Sequence, residues 1–146
     1  MTIYTMGFTQ KTAQQFFELI SSKSIKLLLD IRLNNVSQLS GFTKGNDLKY
    51  FLSVICGCDY SHCIEFAPTK EILDNYKNKK ILWNEYEKQY DTLIKSRDSL
   101  NGFIEKYSKY EKICLLCSEP TAVNCHRRLL ADMISNKYPQ LEINNI

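Results

Sequence analysis

Cys125-His126-Arg127 is the segment of this chain densest in groups that could do chemistry. Asn124 before it fits a helix N-cap, and Leu129, Leu130, Met133 and Ile134 after it mark an apolar helix face. All three residues are then expected in the first helical turn, where free N–H groups and the helix dipole favour an anion. Arg127 adds a planar fork suited to phosphate, sulfate or carboxylate. The same field draws Cys125 toward thiolate, although Cys125 and His126 also sit four residues before Leu129 and Leu130, a packing spacing.

Three further segments supply partners. Cys117 ends a buried apolar run and is followed by Ser118-Glu119, a place suited to a nucleophile. Nine residues separate Cys117 from Arg127, so a Cys-x5-Arg anion cradle is absent. Asp30 and Arg32 lie two apart and share a face of a strand, either as an internal ion pair or as ligand contacts. His62 closes a third run. An enzyme built from these groups would use Cys117 or Cys125 as nucleophile and His62 or His126 for proton transfer. Glu119 or Asp30 would orient the imidazole, and Arg32 and Arg127 would hold an anionic ligand.

Metal and redox readings are weaker. Cys56, Cys58, His62 and Cys63 could supply four zinc ligands, and Cys117, Cys125 and His126 three. Strand alternation sets Cys58 and His62 opposite Cys63, and Cys56 falls on a helix, so no metal or other cofactor is expected. Cys114 and Cys117 spell C-x-x-C inside a strand, where residues three apart face opposite ways.

The elements that must position these groups can be read in order. Thr2 to Met6 alternates as a short strand, and Thr12 with Gln15 forms a capping box for a helix burying Phe16, Phe17 and Ile20. Ile25 to Ile31 is a strand covered on both faces. Leu33 to Gly45 is an irregular loop, followed by a helix from Asp47 to Cys56 closed by Gly57. Cys58 to Ile64 is a third strand. Two or three helices fill Thr69 to Tyr110, with breaks near Asn78 and Ser96 to Ser99. Their tyrosines and Trp83 are expected in the core or along a groove. Lys112 to Cys117 is a buried strand, and Leu141 to Ile146 a last one. This order specifies an α/β fold, one doubly wound domain over residues 1–146. It has a mostly parallel sheet of about five strands and helices on both faces. Ligands of such sheets bind outside the carboxyl ends of the strands, where the four segments converge.

Composition narrows the partners. Nineteen basic against sixteen acidic residues leave a formal charge of +3, which argues mildly against a dedicated nucleic-acid binder and leaves nucleic acid open as a partner. No run is apolar enough to cross a membrane. The opening residues lack a secretory pattern, so a cytoplasmic location with reduced cysteines is expected. Neither a Walker loop nor G-x-G-x-x-G is present, which argues against ordinary NTP or NAD binding.

The I-Y-T-M-G opening, L-L-D-I-R, Tyr60-Ser61-His62 and L-L-C-S-E-P followed by Asn124-Cys125-His126-Arg127 together resemble the family catalogued as domain of unknown function 488. The resemblance runs from Ile3 to about Ile134. It implies a small α/β fold with a shared polar site. The family usually carries Gly-His where this chain has Gly7-Phe8, and a Leu-Gly-Gly segment where it has Ile64-Glu65-Phe66-Ala67. These readings lead to a thiol-dependent enzyme on a phosphate- or carboxylate-bearing, nucleotide-like small molecule. A non-catalytic ligand-sensing or nucleic-acid-associated binding module using the same pocket, and a protein-interaction domain, are the alternatives.

Overall fold

The protein is described by a computed structural model covering residues 1–36 and 40–146. The alternating opening becomes strand β1 (Thr2–Gly7), and the apolar run becomes β2 (Leu27–Asp30). Between them lies α1 (Ala13–Ser22), begun by the Thr12–Gln15 capping box. Helix α2 (Gly45–Phe51) continues into a wider turn at Leu52–Cys56 and is closed by Gly57 at φ +55°. Strand β3 (Asp59–His62) leads to α3 (Lys70–Lys77), α4 (Trp83–Arg97) and α5 (Phe103–Tyr107). Strand β4 (Lys112–Cys117), α6 (His126–Lys137) and β5 (Glu142–Asn145) complete the fold.

All pairings are parallel, in the order β3-β2-β4-β1-β5. Side chains alternate through the sheet and feed two cores. On one face, Phe16, Phe17 and Ile20 of α1 and Leu48 and Leu52 pack with Met6, Leu28, Cys114 and Leu116. On the other, Tyr90, Ile94, Phe103, Leu130 and Ile134 pack with Ile3, Leu29, Ile113 and Leu115. The chain is therefore a doubly wound α/β fold. Cys114 and Cys117 fall into opposite cores, as strand alternation requires.

The connections determine where a crevice opens. After β1 and β2 the chain turns toward the α1/α2 face, whereas after β4 it turns toward the α6 face. Strand β4 lies between β1 and β2, so its carboxyl end is flanked on both sides by chains leaving the other way. That is a topological switch point, where parallel sheets hold ligands.

Several expected boundaries shift. Strand β3 is confined to residues 59–62, because the chain leaves the ladder at Cys63 for a single 3-10 turn, Ile64–Phe66. Helix α2 begins two residues early, at Gly45. Part of the expected Leu33–Gly45 loop lies outside the described residues, and Gly41–Thr43 within it form a 3-10 turn. Cys125 rather than Asn124 is the N-cap of α6: its backbone is extended at φ −140°, ψ 136°, so it precedes the first helical turn instead of joining it. No helix among the described residues is long and apolar enough to cross a membrane.

Candidate functional site

Gly7 is where β1 admits the loop that follows β4. It stands opposite Cys117 in the ladder, and a Cβ there would lie 1.6 Å from the Glu119 carbonyl oxygen. Without a side chain at residue 7, the Ser118–Asn124 loop can fold back over the strand end. The Phe8 amide then donates to the Cys117 carbonyl at 3.3 Å, and the Thr9 amide to that of Ser118 at 3.1 Å.

This loop and the start of α6 bring Cys117, Cys125 and His126 together, all three buried. The His126 Nε2 lies 2.8 Å from the Ile31 carbonyl oxygen. A carbonyl only accepts, so Nε2 carries the proton and Nδ1 keeps its lone pair. Cys117 Sγ lies alongside the ring, 3.5 Å from Nδ1 and 3.9 Å from Nε2. The Cys125 thiol, the Ser118 and Glu119 amides and the Arg127 charge hold the Cys117 thiol below its ordinary range, against the effect of burial. The Cys125 thiol moves the other way, raised by its hydrogen bond to Cys117 and by burial. Burial lowers the His126 imidazole, which favours the neutral ring. One ligand atom from each of these three residues lies within 4.8 Å of the others, so the cluster could hold a metal ion.

Arg127 sits beneath this cluster. Its Nη1 donates to the Glu119 carbonyl and, at 3.5 Å, to Cys125 Sγ. Its Nε is buried with no hydrogen-bond partner among the described residues. The guanidinium thus props the loop and places positive charge beside both sulfurs.

The end of β2 is arranged differently. Arg32 grips Asp30 through Nε at 2.7 Å and Nη2 at 2.6 Å, and Nη2 also donates to the Thr43 carbonyl at 2.7 Å. The Tyr60 hydroxyl donates to the second Asp30 oxygen at 2.7 Å. His62 Nε2 meets the Arg32 carbonyl at 2.7 Å. Phe8 lies against the guanidinium, with its ring centroid 5.1 Å from Arg32 Cζ.

A pocket of about 400 Å3 opens over the end of β4. Among the residues singled out from sequence, Arg32, Cys117, Glu119, Cys125 and His126 line it, and Asp30, His62 and Arg127 do not. A family model described as Domain of unknown function DUF488 matches residues 12–134. The chain belongs to the DUF488 family. No curated protein and no solved structure matches it. The family match leaves the opening strand outside its span but includes every residue of the pocket from Arg32 onward.

The opposite wall of this DUF488 pocket was missed as part of a site. It comes from Leu73, Tyr76 and Lys77 of α3 and Trp83 and Tyr86 of α4. Trp83 and Tyr86 stack with ring centroids 4.8 Å apart, and Tyr76 packs on both. The signal was the three-residue spacing of Trp83 and Tyr86 at a helix start, which places both rings on one face. The central cysteines do not gather in the same way. Cys58 belongs to the α1/α2 core, Cys63 to the opposite core, and half-buried Cys56 hydrogen-bonds toward α1.

Proposed function

We propose that this protein is a thiol-dependent enzyme in which Cys117 is the nucleophile and His126 the base. The observation that carries the reading is the 3.5 Å approach of Cys117 Sγ to an imidazole nitrogen whose ring partner is fixed by a backbone carbonyl. The thiol proton passes to His126 Nδ1, and the sulfur attacks an electrophilic centre of the bound ligand. The leaving group departs with the proton returned from the imidazolium, and water releases the covalent intermediate. The aromatic wall of Tyr76, Trp83 and Tyr86 suits a flat ring. Lys77, exposed at the rim, suits a phosphate or carboxylate on the same molecule. A nucleotide-like substrate combines the two.

The test is the alkylation rate of each cysteine in the reduced, metal-free chain at pH 7, with labelled peptides identified by mass spectrometry. Cys117 should react at least about tenfold faster than an ordinary thiol, and His126→Gln should slow it. If Cys117 reacts no faster than the same cysteine in the denatured chain, it is not an activated nucleophile. A ligand-sensing module is then the better reading of the pocket.

A further inference from the structure

Three donors of the kind zinc prefers converge at the end of β4, from a strand terminus, a helix N-cap and the first residue of that helix. Tetrahedral zinc binds sulfur at about 2.3 Å and imidazole nitrogen at about 2.05 Å, so neighbouring S and N ligands stand about 3.5 Å apart. Cys117 Sγ and His126 Nδ1 are 3.5 Å apart. The corresponding S to S edge is about 3.8 Å, and the donor atoms of all three residues lie within 4.8 Å of one another.

The surroundings match those of a metal thiolate. The His126 Nε2 proton goes to the Ile31 carbonyl, which fixes the tautomer and leaves Nδ1 unprotonated, as the outer partner of a ligating histidine does. Cys117 Sγ lies alongside the ring, 3.5 Å from Nδ1 and 3.9 Å from Nε2, so a metal on the Nδ1 lone pair requires the imidazole to tilt. Arg127 Nη1 approaches Cys125 Sγ at 3.5 Å, and N–H contacts of this kind support sulfur carrying negative charge. Two adjacent buried thiols do not readily ionise together. A divalent cation removes that conflict, because it is bound by both thiolates at once. All three residues line the pocket, and no fourth His, Cys, Asp or Glu side chain joins the cluster among the described residues.

We propose that Cys117 Sγ, Cys125 Sγ and His126 Nδ1 form a zinc site of the open, three-ligand type, with its fourth position facing the pocket. An oxygen of an anionic ligand would complete the tetrahedron there and be polarised by the metal. This inference does not depend on the thiol reading. The two describe mutually exclusive states of one cluster, since a zinc-bound Cys117 is no longer a free nucleophile.

The experiment titrates the reduced, metal-free full-length chain with cobalt(II), watching sulfur-to-cobalt charge-transfer absorption, and then displaces cobalt with zinc. One equivalent should bind with thiolate bands. Cys125→Ser should weaken binding at least about tenfold, and Cys56→Ser should leave it unchanged. Absent bands, undiminished affinity in Cys125→Ser, or loss in Cys56→Ser would each overturn the site. A second measurement needs no variant: one equivalent of zinc should protect Cys117 and Cys125 of the native sequence from alkylation at least about tenfold, and lack of protection counts against the proposal. Fast alkylation of the metal-free chain with no zinc binding would sink only the zinc site. Zinc binding with slow alkylation would sink only the nucleophile.

Discussion

The carboxyl ends of β2 and β4 are neighbours in the sheet, and both carry charged or nucleophilic groups, yet they are built to opposite effect. At the β2 end the polar atoms satisfy one another. Asp30 accepts from Arg32 and Tyr60, Arg32 reaches on to Thr43, and His62 closes on the Arg32 backbone. At the β4 end the backbone carbonyls are paired closely, but the sulfur contacts are long and the pairing is incomplete. Sulfur meets nitrogen at 3.5 Å, and one guanidinium nitrogen of Arg127 has no partner among the described residues. A saturated network fixes geometry and resists new partners, whereas an incomplete one keeps donors and acceptors for something else. The position of Arg32 on the pocket wall therefore says less than its type suggests. Its charge is already balanced inside the protein.

The largest expected effect is at the saturated end. Asp30→Ala leaves the Arg32 guanidinium buried beside an empty site and takes away the acceptor of the Tyr60 hydroxyl proton. Breaking a buried ion pair from one side costs about 3–5 kcal/mol. Urea unfolding should show that loss as a lower midpoint, with Cys117 alkylation in the folded fraction unchanged. A variant of native stability would show that the β2 end is as open as the β4 end, and the contrast would fail.

Much of this contrast was legible in the sequence, but not which end was which. The buried runs, the Thr12 capping box and the order of elements specify the doubly wound sheet, because periodicity and caps are local. They also place Asp30, Arg32, Cys117 and Cys125 along one edge. Pairing preference is not local. Whether Arg32 turns toward Asp30 or toward a ligand depends on Thr43 and Tyr60, which approach from 11 and 30 residues away. Cys125 suits packing as well as a site and His126 favours the site, and only the fold of the Ser118–Asn124 loop brings them onto Cys117. That fold rests on the missing side chain of Gly7, 110 positions earlier in the chain than Cys117. The aromatic wall was hidden for a different reason. Tyr76, Trp83 and Tyr86 have the spacing of core residues, and half-buried Trp83 and Tyr76 reveal themselves as a wall only once α3 and α4 are set against the sheet.

An intermediate effect is expected at Arg127. From sequence it reads as a ligand contact, whereas its observed bonds run to the Glu119 carbonyl and Cys125 Sγ. Arg127→Met keeps the apolar bulk and removes both. Losing a charged donor to the part-buried Glu119 carbonyl costs about 1.5–3 kcal/mol, which for a chain of this length is a drop of several degrees in melting temperature. Cys117 alkylation at pH 7 should also slow, because the removed charge helps hold that thiol below its ordinary range. Full stability in the variant, together with lost stabilisation by added phosphate, would return Arg127 to the ligand.

The smallest stability effect is expected at the group most central to the chemistry. Cys117 is buried, but its sulfur makes no short hydrogen bond to a side chain among the described residues, and its neighbours are amide donors, a thiol and the His126 imidazole. Cys117→Ser offers those amides an oxygen acceptor and the imidazole a hydroxyl donor, so no buried group loses its only partner. The replacement is slightly smaller and more polar, which opposes burial, while its hydroxyl hydrogen bonds partly offset that. The net change should be about 1 kcal/mol or less, within reach of a careful urea titration. Fast alkylation at this position should vanish outright, and cobalt should lose one of its two thiolates. A loss of stability as large as that of Asp30→Ala would mean that the β4 end is held together by the Cys117 sulfur itself. The incomplete pairing seen there would then be structural rather than a reserve for a ligand or a metal.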